Sequence, residues 1–309
     1  MNKDWKDGLL NSGVPLEKDV KEYLDSKEFI SNFDYSYLRY DENQKTTKEF
    51  SFDILSMGVN GEKFNYFTHL MVECKYHHEN TNWVFIPETN KEFDIINSIM
   101  NPNDYFCEKL KFKTKDSLFT HEIPPLCSKG IELLGKNNND KSLKEAFSQL
   151  SYAFANIIID EIEHQVDRLL GDQDVIFFNI PIVVTTANLY LIHENTDIQK
   201  IKASESISEI ADKHDILIAK TKVSTDLKNY SLNIFHGFIK SFDEKKLERS
   251  NSSGKMINQL FNEIADNCPE TFVIIHFSDS RNGFEKLFKL VEDAINIQEK
   301  LQVETQNRK

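Results

Sequence analysis

Two apolar runs with strand-like patterning dominate the first quarter of the chain, at residues 50–55 and 70–75. Between them Gly58, Asn60, Gly61, Glu62 and Lys63 form a polar stretch of the kind that closes a hairpin. Ahead of them Leu16, Val20 and Leu24 recur at i, i+4 and i+8, which predicts a helix opening near Gly13 with Pro15 in its first turn. The aromatic-rich segment 33–40 follows as a candidate first strand. Further on, 83–87 reads as a short strand and 90–100 as a helix, with Phe93, Ile96 and Ile99 on one side. Residues 101–139 look irregular, with a single strand near 108–114. A long helix is expected over 141–169, its apolar side carrying Leu143, Phe147, Leu150, Phe154, Ile157 and Ile158. Buried strand is expected over 175–178 and 180–192, with Pro181 at its start. The remainder alternates again: strand 215–221, a charged, Ser-rich linker at 241–253, helix 254–267, strand 271–277 and helix 282–301. Strands interleaved with helices suit one α/β sheet.

The chemistry sits inside the hairpin. Asp53 interrupts the first apolar run, and the second ends in Glu73, Cys74 and Lys75. Alternate residues of a strand share a face, so Glu73 and Lys75 point one way and Cys74 the other. If Asp53 turns to the same side, two carboxylates and an ammonium converge, a cluster that is expensive to bury without a metal or substrate. The plainer reading makes Asp53 an edge acid, Glu73 and Lys75 a solvent-facing pair, and Glu17 a first-turn helix acid favoured by the macrodipole.

In their order, Glu17 on a helix after Gly13-Val14-Pro15-Leu16, then Asp53, then Glu73-Cys74-Lys75, these elements resemble the PD-(D/E)xK nuclease superfamily, and within it the Mrr-like restriction endonuclease branch. The motif-bearing resemblance covers 13–86 and continues more loosely to about 192. Phe52 stands where the superfamily name has proline, a common departure. The resemblance implies a restriction-endonuclease-like core, a central mixed β-sheet flanked by helices. It implies Mg²⁺ or Mn²⁺ held by Asp53, Glu73, the Cys74 carbonyl and Glu17, with Lys75 acting on water and developing charge. Gln149 on the long helix corresponds to an accessory glutamine of some relatives, although a surface glutamine on an amphipathic helix is the commoner case. The implied activity is phosphodiester hydrolysis leaving a 5′-phosphate, with double-stranded DNA as substrate, in restriction or anti-phage defence. A catalytically silent assembly or nucleic-acid-binding subunit with the same fold is the rival expectation.

Composition changes the picture in one respect. The 309 residues carry a net charge of −13, against the basic balance usual in nucleic-acid enzymes. Local basic patches survive a negative total, and 109–115 and 245–249 are candidates; a solvated strand edge explains the first equally well. The acidity also suits a partner subunit, or a second copy of the chain, that contributes DNA affinity. The expected organisation is a mobile lead-in at 1–12, a nuclease domain at 13–225 with an insertion at about 88–140, and a C-terminal α/β extension at 226–309 on the same sheet. The longest apolar stretch, 180–192, contains Thr185, Thr186 and Asn188 and is too short to span a bilayer. Four scattered cysteines and a polar start suggest the cytoplasm. Phosphate-loop and dinucleotide glycine motifs are absent. Cys74 and His77 lack a second zinc-ligand pair, so Cys74 is expected to be a core thiol. Glu161 and His164 lack the partner pair of a di-iron site and are expected on a charged helix face.

Overall fold

Helix α1 (Asp4–Asn11) and helix α2 (Val14–Ser26) open the chain. The structure is a computed structural model and describes residues 4–41, 45–61, 65–89, 94–107, 111–112, 118–119, 121–169, 174–251 and 253–306. The lead-in expected to be mobile is therefore helical from residue 4; Ser12 Oγ donates to the Leu9 carbonyl at 2.6 Å and helps close α1. Gly13 (φ 82°) turns the chain between the two helices in a conformation that glycine adopts readily. From there Leu16, Val20 and Leu24 of α2 are buried as their spacing predicts.

Three long strands follow: β1 (Ile30–Asp41), β2 (Thr46–Asn60) and β3 (Asn65–Lys75). They form an antiparallel meander, with the β2–β3 ladder running from Asn60↔Tyr66 to Ile54↔Val72. Beyond β4 (Asn82–Pro87) comes the short helix α3 (Ile95–Met100), capped by the Asp94 side chain, and the two-residue strand β5 (Pro102–Asn103). The helix expected over 90–100 thus begins at Ile95 among the described residues; 90–93 lie outside them. Most of the strand expected near 108–114 also lies outside them, and the two described residues, Lys111 and Phe112, are not in a strand. The supposedly irregular region instead supplies β6 (Leu126–Leu134) and β7 (Asn137–Asn139).

The long helix α4 (Lys141–Leu169) lies where expected. The next strand is divided into β8 (Val175–Thr185), buried throughout, and β9 (Asn188–Ile192). Pro181 sits within β8 rather than at its start. It lies opposite Met71 of β3, but on the other edge of β8, β5 pairs only with Phe177 and Phe178 and β12 (Thr271–His276) only from Ile182 onward, which leaves a gap at residue 181 where a missing N–H is tolerated. After helix α5 (Ile198–Ala203) come β10 (Ala211–His214) and β11 (Ile216–Lys220). Helix α6 (Thr225–Ser241) leads to α7 (Glu244–Ser250), which replaces the expected linker: Asp243 caps it and Leu247 is fully buried. Helices α8 (Ile257–Asp266) and α9 (Asn282–Gln306) complete the chain.

All strands join one mixed sheet in the order β1-β2-β3-β8-β12-β11-β6-β4-β9-β10, with β5 and β7 at its margins. Two apolar layers cover it. One packs α4, α6, α7 and α8 on the face bearing Met71, Val183 and Phe272; the other packs α2, α3 and α9 on the face bearing Val72, Ile182 and Ile275. The protein is thus mixed α/β, a large sheet between helices. All four cysteines are free and buried. No described helix is long and apolar enough to cross a membrane.

Candidate active site

The site forms where two strands part. The β2–β3 ladder stops at Ile54↔Val72, and the next amide of that edge, Cys74 N–H, donates to Asp53 Oδ2 at 2.6 Å instead of to a backbone carbonyl. On the other side of β2, Asp34 of β1 adopts φ 56° and drops out of the β1–β2 ladder opposite Asp53. Aspartate tolerates this left-handed conformation better than most residues. The strands separate around Asp53 and leave its carboxylate at the mouth of the gap. Glu73, on the α4 face of β3, is only 1% exposed. Lys75, one alternation further along that face, donates to Glu73 Oε1 at 2.7 Å, while Glu73 Oε2 is buried without a partner.

Three carboxyls in this corner are pushed toward protonation. Burial raises the Glu73 pKa to about 8; the Asp53 charge adds to the rise, and Lys75 opposes it. Asp53 is also raised by burial, against the Cys74 amide and Lys75. Glu17, half-buried in the first turn of α2, rises to about 7 through burial and then through the charges of Asp53 and Asp34. Burial works most strongly to lower Lys75, but the charge and hydrogen bond of Glu73 and the charge of Asp53 together outweigh it and hold the ammonium above its usual value. The structure therefore brings together Asp53, Glu73, Lys75 and, from the opposite side of the sheet, Glu17. Cys74 faces that opposite side as a buried thiol whose pKa is driven up by burial, in keeping with a core role for its side chain.

Gln149 of α4 donates to the Ser51 carbonyl at 3.1 Å and lines an open groove of about 660 Å³ with Lys75, Tyr37, Arg39, Phe50 and the first turns of α4. The donor set is oxygen-based, with an orphaned buried carboxylate oxygen at its centre, and so suits a hard divalent cation that keeps several waters. Among the described residues no three His, Cys, Asp or Glu side chains are gathered closely enough to hold an ion by themselves.

One neighbour escaped the sequence reading. Asp34 acts on both Asp53 and Glu17, and its signal, an acid inside the first strand opposite Asp53, was present. His77 continues the face of Glu73 and Lys75. Its main chain is pinned by Thr186 Oγ1, which accepts from His77 N and donates to His77 O, each at 2.7 Å. His77 Nε2 lies 3.5 Å from Glu132 Oε2, and burial lowers the imidazole pKa. Glu161 is not on a charged helix face. It is buried, close to His69 Nδ1 (2.7 Å) and accepting from Asn103 and Asn179 at 2.7 and 3.0 Å, and only its supposed companion His164 faces solvent. Of the basic stretch 109–115, only Lys111 and Phe112 are described, and Lys111 binds the Asp104 carbonyl. The second stretch lies on α7, where Lys246 pairs with Asp167 of α4. Comparison with family models, with curated proteins and with solved structures finds no match to this chain.

Proposed function

We propose that the chain is a metal-dependent phosphodiesterase with a restriction-endonuclease-like core, a DNA endonuclease of restriction or anti-phage defence. The observation that carries this reading is the opening of the β2–β3 ladder at Asp53. It places a carboxylate on each parted strand, with Lys75 2.7 Å from the buried one. Asp53, Glu73 and the Cys74 carbonyl would hold Mg²⁺ or Mn²⁺, with Glu17 reaching it directly or through water. When bound, the cation polarises the scissile phosphate and acidifies an attacking water. Lys75 has two donors beyond the one given to Glu73, so it can orient that water and offset charge on the phosphoryl oxygens. Cytoplasmic residence and delivery of DNA by a partner subunit or a second copy belong to the same proposal, since a net charge of −13 opposes unaided capture of a polyanion.

A second reading has one observation behind it. Two carboxylates and a third from the opposite side of the sheet make a thin ligand set, and the Asp53 carboxylate already accepts from the Cys74 amide. On that reading the chain is a catalytically silent assembly or nucleic-acid-binding subunit.

Digestion of supercoiled and linear DNA, and of RNA in parallel, with Mg²⁺ or Mn²⁺ separates the two. Glu73→Ala and Asp53→Ala should abolish cleavage while leaving the fold intact. Lys75→Ala should lose about a hundredfold or more in rate yet keep its affinity for the cation, because the ammonium is not a ligand. A wild-type chain that never cuts, with all three variants unfolding, would leave the acids a structural role and favour the silent subunit.

A further inference from the structure

Arg39 is a charge that the fold alone does not explain. It is half-buried on β1, and among the described residues no carboxylate is paired with it. Its guanidinium lies 3.5 Å from the centre of the Tyr152 ring and 5.8 Å from that of Phe50. The support beneath it is itself fixed. Tyr152 of α4 meets Tyr230 of α6 edge-on at 5.0 Å; Tyr230 donates to the Leu38 carbonyl at 3.0 Å and accepts from Asn156 at 3.1 Å. Three separate elements thus hold one arginine flat, with its stacking face used and its N–H edge left over. A surface arginine kept only for solubility needs no such pedestal, and a guanidinium without a counter-ion is an anion site in waiting.

The groove that Arg39 lines contains Lys75 and the start of α4, where Lys141 and Lys144 stand and the first turn carries no carboxylate. Of the charged groups in the lining, Lys144 pairs with Asp140 at 2.6 Å, the exposed Lys141 lies 3.7 Å from Glu145 and Lys75 is bonded to Glu73. Arg39 is the cation left over, four cations standing against two carboxylates in the lining itself. The end of α4 itself adds little, because Asp140 stands at its cap position with its carboxylate beside the first turn. On a chain of net charge −13 this local excess is conspicuous.

We infer that Arg39, with the exposed Lys141 across the groove, forms a phosphate subsite that grips the nucleic-acid backbone beside the scissile position. The inference rests on the nuclease reading for the identity of the anion. It adds that the substrate strand enters between β1 and α4, and that α6 of the C-terminal extension takes part in binding by propping the arginine.

The test measures binding without chemistry: labelled duplex DNA and the same-sequence duplex RNA, titrated in EDTA at several salt concentrations with the full-length protein. Arg39→Gln keeps a flat amide over Tyr152 and should weaken binding about tenfold, lowering the slope of log affinity against log salt by about 1. Arg39→Lys should restore the slope but not the full affinity, since the ammonium lacks the planar fork. Lys141 is 81% exposed, so Lys141→Gln gives an arm free of folding risk and should show the same change in slope. If wild type cuts nucleic acid with metal but the Arg39 and Lys141 variants bind with unchanged affinity and slope, the subsite is wrong and the nuclease reading stands. If wild type binds, the variants weaken and nothing is ever cut, the subsite holds and the nuclease reading falls. A wild type that does not bind even at the lowest salt, where a local phosphate contact is strongest, and never cuts removes both.

Discussion

A glutamate that is 1% exposed, with one oxygen given to Lys75 and the other to nothing, is a source of instability in the metal-free protein. Its carboxyl ordinarily titrates near 4.5 but is held at about 8 in the fold. The folded-state pKa is raised, so the protonated acid favours the fold. That stability is fully present below about pH 4.5, is lost as pH rises toward 8, and changes no further above it. Glu17 acts in the same direction over a narrower range, to about 7. Thermal melts in EDTA should therefore show stability falling from mildly acid to mildly alkaline pH, by at most about 1.4 kcal/mol per unit from Glu73. Glu73→Gln should flatten most of that fall and leave the variant more stable than wild type at alkaline pH. Parallel curves for the two proteins would mean that Glu73 is solvated after all. Glu73 and Lys75 were legible in the sequence because alternation along one strand puts them on one face, whereas the face of Asp53 was not, because its neighbours Phe52 and Ile54 join opposite apolar layers and alternation breaks between them. Glu161 was not, because what buries it comes from His69, Asn103 and Asn179, three segments with no local signature beside it.

At the scale of elements, long periodic segments were readable and short or sparsely apolar ones were not. Helix α4 and strand β8 announce themselves by their apolar residues, whereas β6 holds only scattered hydrophobics and gains its strand identity from neighbours on both sides, β11 and β4. Helix α7 likewise offers one fully buried apolar residue, Leu247, in a charged run, and takes its order from α4. The β6 case has a physical marker that a sequence alone cannot interpret. A Cβ at Gly130 would overlap the ring of Phe85, which is fully buried beneath Leu143 of α4 and has nowhere to move. Gly130→Ala should thus destabilise the protein by about 1–3 kcal/mol, read as a lower denaturant midpoint, although the position looks like an ordinary strand glycine. An unchanged midpoint would show that β4 and β6 can separate at no cost, and that the α4 face is looser than its packing suggests.

For the molecule as a whole, the position of β12 matters most. Although it comes from the last part of the chain, it lies between β8 and β11, parallel to the first and antiparallel to the second, and all but its last residue, His276, are buried. Its own helices cover both faces, α9 on one and α8 on the other. The residues after 225 are therefore part of the sheet that carries Asp53 and Glu73, not an appendage to it. A chain ending at residue 225 would leave β8 without its central neighbour and expose the edge of a strand buried along its full length. It would also strip α9 from the apolar face bearing Ile182 and Val184. Unpaired, hydrophobic strand edges of this kind pair with other chains. The truncated protein should be insoluble or lack a cooperative melting transition, while the full chain unfolds as one unit, and limited proteolysis of the full chain should not release a stable fragment ending near 225. Recovery of a soluble, cooperatively folding 13–225 fragment would show instead that β8 and β11 can close on each other. The C-terminal region would then be a separable module, and its Tyr230 prop beneath Arg39 an addition to a site already complete without it.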